Sequence, residues 1–171
     1  MSAGFVIHWI AAILLIGMAT FAYIEAKSSS LIPKSLFLWP LCGFLFGVLA
    51  VLGPVLGRGQ MSGKSTLLAL GIVFLLCSVQ ALLVNIRKLS RWPSGAIWLG
   101  FLLLGLLYQI PFEGAAEPLF HTFLRRISGF VWMAVGITKV ISEKTVSQEG
   151  QTPPWILLLY VQAALIASFP S

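Results

Sequence analysis

The sequence predicts an all-α integral membrane protein, a bundle of about six transmembrane helices, or five if the segment 119–141 lies at the membrane interface. Hydrophobic residues make up 58% of the 171-residue chain, and its mean hydropathy of +0.97 is far above that of a soluble domain. The eleven basic and five acidic residues fall almost entirely in the gaps between six apolar runs. Helices satisfy their own backbone groups in lipid, whereas an open sheet does not.

The six apolar runs predict the helices in order. They cover residues 4–26, 35–56, 65–85, 94–112, 119–141 and 154–169. A spanning helix needs about 20 apolar residues, a length that the first four runs meet, while the fifth carries charges and the sixth is short. The first run has no basic segment before it and no small-residue cleavage site, so we predict a retained helix. The short gaps predict a single polytopic domain over 1–171.

The basic residues predict the orientation of the chain. With the N-terminus outside, the inner side holds seven of them and the outer side four, which agrees with the enrichment of Lys and Arg in cytoplasmic loops. The inner set is Lys27, Lys34, Arg87, Lys88, Arg91, Lys139 and Lys144, and the outer set is Arg58, Lys64, Arg125 and Arg126. We therefore expect an external N-terminus, in the plasma membrane of a bacterium.

Glycines at helical spacing predict the contacts between helices. Small residues four apart let two backbones approach closely in a bilayer. The second run carries two such pairs and the fifth run has two glycines seven apart on one face. The predicted packing residues are Gly43, Gly47, Gly53, Gly57, Gly129 and Gly136.

Four tryptophans near the ends of the runs are interpreted as interfacial belt residues, because indoles favour the headgroup level. They are Trp39, Trp92, Trp98 and Trp155.

Several function classes are disfavoured. Gly63-Lys64-Ser65-Thr66 lacks the spacing and the preceding strand of a phosphate-binding loop, so we predict no nucleotide binding. The scattered basic residues do not predict a nucleic-acid partner. The two cysteines form no CxxC motif, which disfavours thiol chemistry.

Polar residues converge on one side of the predicted bundle. The first and fifth helices start from the same membrane face, and the fourth helix ends there. The candidate ligand or polar-cluster residues at this level are His8, Gln109, Glu113, Glu117, His121 and Arg125. Ionisable groups within membrane helices usually face the bundle interior and mark functional sites, so this cluster is the main candidate for function.

The fifth run also predicts a buried polar stripe along its whole length. The residues at i, i+3 or i+4 spacing on one face are His121, Arg125, Ser128, Gly129, Trp132, Gly136 and Lys139. Arg125 should point inward, whereas Arg126, about 100° further round the helix, should reach the headgroups. An inward arginine needs an anion, and Glu113 or Glu117 is the nearest predicted partner.

These features predict a small transport-type protein or an accessory subunit of a membrane complex, without enzymatic activity. Polar residues inside a helical bundle and the small extramembrane mass favour it. The expected partners are the lipid bilayer and either partner membrane subunits or further copies of the chain, and we expect no cofactor.

Two alternatives remain open. In a redox subunit, His8 and His121 would bind haem or a transition metal. Residues 5–10, Phe-Val-Ile-His-Trp-Ile, resemble the first helix of bacterial b-type cytochromes, although those proteins use four histidines and this chain has two. In an enzyme acting on a lipid-linked phosphate, Arg125 and Arg126 would hold the phosphate and His121 or Glu113 would act as base.

Overall fold

The computed structural model describes residues 3–27, 35–56, 64–86, 95–110, 119–144 and 152–168, and over these ranges the chain forms six helices and no strand. The helices are α1 (Ala3–Lys27), α2 (Ser35–Leu56), α3 (Lys64–Asn85), α4 (Gly100–Leu107, entered through the 3₁₀ turn Gly95–Leu99), α5 (Leu119–Lys144) and α6 (Pro154–Ala167). The all-helical prediction is confirmed. Two segments of the described chain, Val6–Lys27 and Lys64–Asn85, are long and apolar enough to cross a membrane by length and composition.

The helix boundaries follow the apolar runs closely. α6 begins with Pro154 at its first position, where the fixed φ of proline suits a helix start, and it ends at Ser168, whose hydroxyl donates to the carbonyl of Ala164 at 2.8 Å. α5 extends beyond its predicted run to Lys144, and α4 ends at Leu107, short of its predicted end at residue 112.

The six helices pack as a ring in chain order. Each packs against the next one along the chain, and α6 closes the ring by packing against α1. A hydrogen bond of 2.8 Å between the hydroxyls of Thr20 and Tyr160 joins these two helices. Neighbouring helices therefore run antiparallel, so the starts of α1, α3 and α5 lie at one end of the bundle. The starts of α2, α4 and α6 lie at the other end.

Glycines occupy the closest contacts between α2 and α3. A Cβ atom on Gly47 would lie 2.9 Å from Cγ of Leu75 and 3.0 Å from the carbonyl oxygen of Gly71, and one on Gly43 would lie 2.6 Å from Oγ of Ser78. The predicted packing role of Gly53 is wrong, because a Cβ atom there would meet nothing within 4 Å. The helix rotation turns this glycine away from α3. Its predicted partner Gly57 lies outside the described residues.

Glycines also bring α4 and α5 together. A Cβ atom on Gly136 would lie 2.8 Å from the carbonyl oxygen of Trp98, and one on Gly129 would lie 2.8 Å from that of Gly105. The two glycines of α5 thus share one face, at the spacing that the sequence predicts, and that face abuts the backbone of α4. Such close approach of backbones lets the side chains beside the glycines meet across the interface.

Aromatic side chains fill the centre of the ring. The ring centroid of Phe74 lies 4.4 Å from that of Phe46, 5.0 Å from that of Phe101 and 5.3 Å from that of Trp132. All four side chains are buried. Edge-to-face and tilted aromatic pairs of this kind stabilise a packed core beyond the burial of their area, so the middle of the bundle is solid.

The outer surface of the ring is apolar. Large hydrophobic side chains from every helix are exposed, and Leu103, Ile13 and Phe130 are each more than 60% exposed. α5 is the most polarised helix, because Arg125, Lys139 and its two glycines face inward. Its outward residues include Phe120, Phe123, Phe130, Ile137 and Ile141. A surface helix of a water-soluble protein has the opposite arrangement.

Candidate functional site

The inward face of α5 carries the candidate functional residues. Its buried residues are Leu124, Arg125, Ser128, Gly129, Trp132, Val135, Gly136 and Lys139. The predicted polar stripe is therefore buried from Arg125 to Lys139, and only its first member, His121, is half-buried. The stripe carries two polar clusters, one towards each end of the bundle, and a buried polar contact between them that lies closer to the first.

The first cluster lies where α4 ends and α5 begins. Arg125 is only 5% exposed, and its guanidinium Nη1 donates a hydrogen bond to the carbonyl oxygen of Ile110. Its neighbour Arg126 is exposed, and the carbonyl oxygen of Arg126 accepts a hydrogen bond of 3.1 Å from Nε2 of Gln109. The predicted contrast between an inward Arg125 and an outward Arg126 is confirmed. Gln109 and Arg125 are brought together as expected.

The remaining members of the predicted cluster stay predictions. Glu113 and Glu117 lie outside the described residues. His8 on α1 and His121 on α5 are both half-buried, and their two helices each pack against α6, which lies between them in the ring. Among the residues that the structure describes, no group of three or more His, Cys, Asp or Glu side chains is placed to hold a metal ion.

A buried polar contact lies in the middle of the stripe. Nε2 of Gln162 on α6 donates a hydrogen bond to Oγ of Ser128 on α5, and the two residues are 0% and 1% exposed. Oε1 of Gln162 has no hydrogen-bond partner within the described ranges. A buried amide oxygen of this kind costs free energy and calls for a functional or solvent explanation.

The second cluster lies at the opposite end of the bundle and was not predicted. It consists of the side chains of Trp39, Trp98, Trp155, Lys139, Glu143 and Gln80. The three tryptophans, which we call the tryptophan cage, belong to the starts of α2, α4 and α6 and are at most 5% exposed. Their interpretation as interfacial belt residues is wrong, because they turn into the ring. Trp92, the fourth belt candidate, lies outside the described residues.

The tryptophan cage surrounds the ammonium group of Lys139. Nζ of Lys139 lies 4.4 Å from the ring centroid of Trp155, 5.2 Å from that of Trp39 and 5.3 Å from that of Trp98. All three distances are within the range of a cation–π interaction. Lys139 is 7% exposed, so it is a buried helix residue and not the loop residue that the count of basic charges assumed.

Two further contacts hold the cage in place. Nζ of Lys139 forms an ion pair of 2.6 Å with Oε1 of Glu143, one turn further along α5. Nε1 of Trp98 donates a hydrogen bond of 3.0 Å to Oε1 of Gln80 on α3, which fixes the orientation of this indole. Five of the six helices therefore contribute a side chain to this one cluster, which closes the ring at this end.

The magnitudes indicate which partner of Lys139 is held more loosely. A desolvated cation–π contact contributes about 1–2 kcal/mol, and Lys139 makes three of them. An i, i+4 ion pair contributes about 0.3–0.5 kcal/mol when exposed, and burial of both side chains increases this value. Glu143 lies one residue before the end of α5. Lys139 is therefore the fixed member of the pair and Glu143 the displaceable one.

The sequence did contain a signal for this cluster. The starts of even-numbered helices and the ends of odd-numbered helices share one side of a ring, and this places three tryptophans level with Lys139. The same argument, applied to the histidines, gave the predicted cluster at the other side. The sequence does not give the rotation of each helix about its axis, and it is this rotation that turns the indoles inward.

No protein-family model matches the chain, and no curated protein or solved structure is significantly similar to it.

Proposed function

We propose that the chain is an integral membrane protein of the transport type, with six helices crossing the bilayer. The observation that carries the proposal is the inverted α5, whose buried face holds Arg125 and Lys139 while its exposed face holds Phe123 and Phe130. In water this arrangement would expose a large apolar surface and bury charge, both of which are unfavourable. In lipid the apolar face contacts hydrocarbon and the charged side chains face the interior of the bundle, so both faces are in a favourable environment.

The exposed apolar side chains of the other helices support the same environment. Every helix of the ring carries such side chains, so the whole bundle, and not α5 alone, is suited to a hydrocarbon solvent. In the proposed orientation the N-terminus is outside, the Arg125 cluster lies at the outer face and the tryptophan cage lies at the cytoplasmic face of the plasma membrane.

The transport proposal is supported by the polar residues that lie towards both ends of one buried face of α5. Arg125, Ser128 and Lys139 lie on one buried face of α5 that runs from one end of the bundle to the other. The Gln162 side chain adds a buried acceptor beside Ser128. Two buried cations on this face of α5 favour a small anion as the transported solute. The solid core and the closed cage describe a state in which neither side is open.

Cysteine labelling tests the proposed path. Ser128→Cys on the stripe and Phe130→Cys on the outer face are matched single substitutions on α5, in a chain that lacks Cys42 and Cys77. A water-soluble maleimide should label the Ser128→Cys protein in membranes and leave the Phe130→Cys protein unlabelled. If both positions remain unreactive in native membranes yet react after denaturation, the stripe is a static core and the chain is an accessory subunit.

Reporter fusions test the proposed topology separately. Fusions after Ser30, Arg91 and Gln148 should all be cytoplasmic, because one, three and five helices precede them and the proposed N-terminus is outside. A fusion after Gly59 is the matched control and should be external. Opposite locations for Arg91 and Gln148 would show that α5 does not cross the membrane.

A further inference from the structure

The caged ammonium of Lys139 is held in a fixed position that lysines at membrane interfaces do not normally adopt. Such lysines extend toward water, whereas this side chain lies inside the ring with an indole from α2, α4 and α6 around it. We propose that Lys139 is a binding site for the carboxylate of a small monocarboxylic acid, which takes the place of the Glu143 carboxylate. This proposal rests on the proposed transport function and names its substrate class.

The incoming acid replaces the Glu143 carboxylate while the Lys139 ammonium stays in place, because the two side chains of this ion pair are held differently. Lys139 contacts three aromatic faces that belong to three helices, so its removal would disrupt the whole cluster. Glu143 contacts the ammonium through one carboxylate oxygen and lies one residue from the end of α5, where its side chain can turn toward water. A competing anion therefore displaces Glu143 and leaves Lys139 in the cage.

The surroundings of Glu143 limit the size of the acid. Gly95, at the start of the 3₁₀ turn before α4, lies against this side chain, and a Cβ atom on Gly95 would be 3.0 Å from Cβ of Glu143. Glu143 therefore packs closely against the turn, so an acid that takes the place of its carboxylate has to be small. The indole faces beside it favour an acid with a short apolar substituent over a dicarboxylate, since one ammonium neutralises one charge.

The position of Lys139 places the site near one end of the bundle. It lies five residues before the end of α5, which corresponds to about 7.5 Å along the helix axis. Arg125, the other buried cation of the stripe, lies about 21 Å away at the far end of the same face. Arg125 and Lys139 are therefore positioned as two separate binding sites for an anion, one near each end of the path.

Acetate binding to the purified full-length protein tests the site, with tryptophan fluorescence and thermal unfolding as readouts. In the unchanged protein acetate has to compete with the tethered Glu143 carboxylate, so the response should need high concentrations. Glu143→Gln removes this competitor and should lower the acetate concentration for half-maximal response about tenfold or more. Glu143→Asp, which draws the carboxylate back, should shift it in the same direction, and serves if the glutamine variant does not fold.

The double variant Lys139→Met/Glu143→Gln is the matched control, because it keeps the size of both side chains and removes both charges. It should lose the acetate response, and sodium chloride should not reproduce that response in any variant. Equal acetate responses in the unchanged protein and both Glu143 variants would overturn the proposal. A second pair of results would also overturn it: tetramethylammonium stabilises a folded Lys139→Ala variant, and acetate has no effect on the Glu143 variants. The cage would then be a site for organic cations.

The labelling experiment separates this proposal from the one on which it rests. Labelling of Ser128→Cys without acetate binding would keep the transport path and reject the substrate class. Acetate binding by the Glu143 variants without labelling of Ser128→Cys would keep the anion site and reject the path through the bundle.

Discussion

The contact between Lys139 and Trp155 should be measurable as a coupling free energy in a double-mutant cycle. The two single variants are Lys139→Met, which keeps the length of the side chain, and Trp155→Leu, which keeps an apolar residue at a buried position. Nζ of Lys139 lies 4.4 Å from the centroid of Trp155, the shortest of its three distances to the cage. For a desolvated pair at this distance we expect a coupling of about 1–2 kcal/mol.

Each single substitution has a cost of its own, which the cycle subtracts. Trp155→Leu removes part of a buried side chain and should lower the free energy of unfolding by about 2–4 kcal/mol. Lys139→Met leaves the buried Glu143 carboxylate without its ammonium, which should cost about 3–5 kcal/mol. If the cation–π contact is real, the double variant is less destabilised than the sum of these losses, because the contact is lost only once.

Equilibrium unfolding in mixed detergent micelles, followed by far-ultraviolet circular dichroism, provides the four free energies. A second cycle of Lys139→Met with Trp132→Leu is the matched control. Trp132 is a buried tryptophan of the same helix, seven residues or about 10.5 Å away along its axis. Its coupling should be below about 0.5 kcal/mol. Equal couplings in both cycles would refute the assignment of a specific aromatic contact to the ammonium.

Three further outcomes test other parts of the structure. Arg125→Ala should lower the free energy of unfolding by about 2–4 kcal/mol, since it removes a buried charge-assisted hydrogen bond, whereas Arg126→Ala should change it by less than about 0.5; equal thermal shifts would show that both merely anchor α5. Gly47→Ala should destabilise by about 1–3 kcal/mol, because its Cβ meets α3, while Gly53→Ala should be neutral or stabilise by up to about 1 kcal/mol; thermal unfolding should show a lower midpoint for Gly47→Ala and an unchanged or higher midpoint for Gly53→Ala. His8→Cys and His121→Cys, combined in a chain without other cysteines, should form a cross-link with a short reagent if the two histidines share a site. Failure to cross-link beside a folded control would reject that cluster.

The helices and their order could be predicted from the sequence because apolar runs and their gaps determine them directly. The buried stripe of α5 was also predictable, since Arg125, Ser128, Trp132 and Lys139 recur at the helical period while Phe123 and Phe130 mark the opposite side. Helical periodicity thus gives the relative positions of residues within one helix. It needs no knowledge of the neighbouring helices.

Relations between helices were harder to predict. The sequence indicates the level of Trp39 and Trp155 along the bundle, but not whether each helix turns its indole toward the centre of the ring or away from it. The same missing rotation explains Gly53, which has the spacing of a packing residue yet faces open space. An interfacial indole and a buried one have the same sequence signature near the end of an apolar run, so only the packing of several helices separates the two.

The closure of the ring by its last helix has a consequence for biosynthesis. Contacts between successive helices can form as soon as each new helix leaves the ribosome, but the α1–α6 contact joins residues as distant as Thr20 and Tyr160. Until residues 154–167 have been made, the faces of α1 and α5 that pack on α6 lack their partner, and the cage lacks Trp155. A chain that stalls before Pro154 therefore has an incomplete enclosure around Lys139, because Trp155 is missing. The ring is therefore complete only after α6 has been made and has packed between α5 and α1.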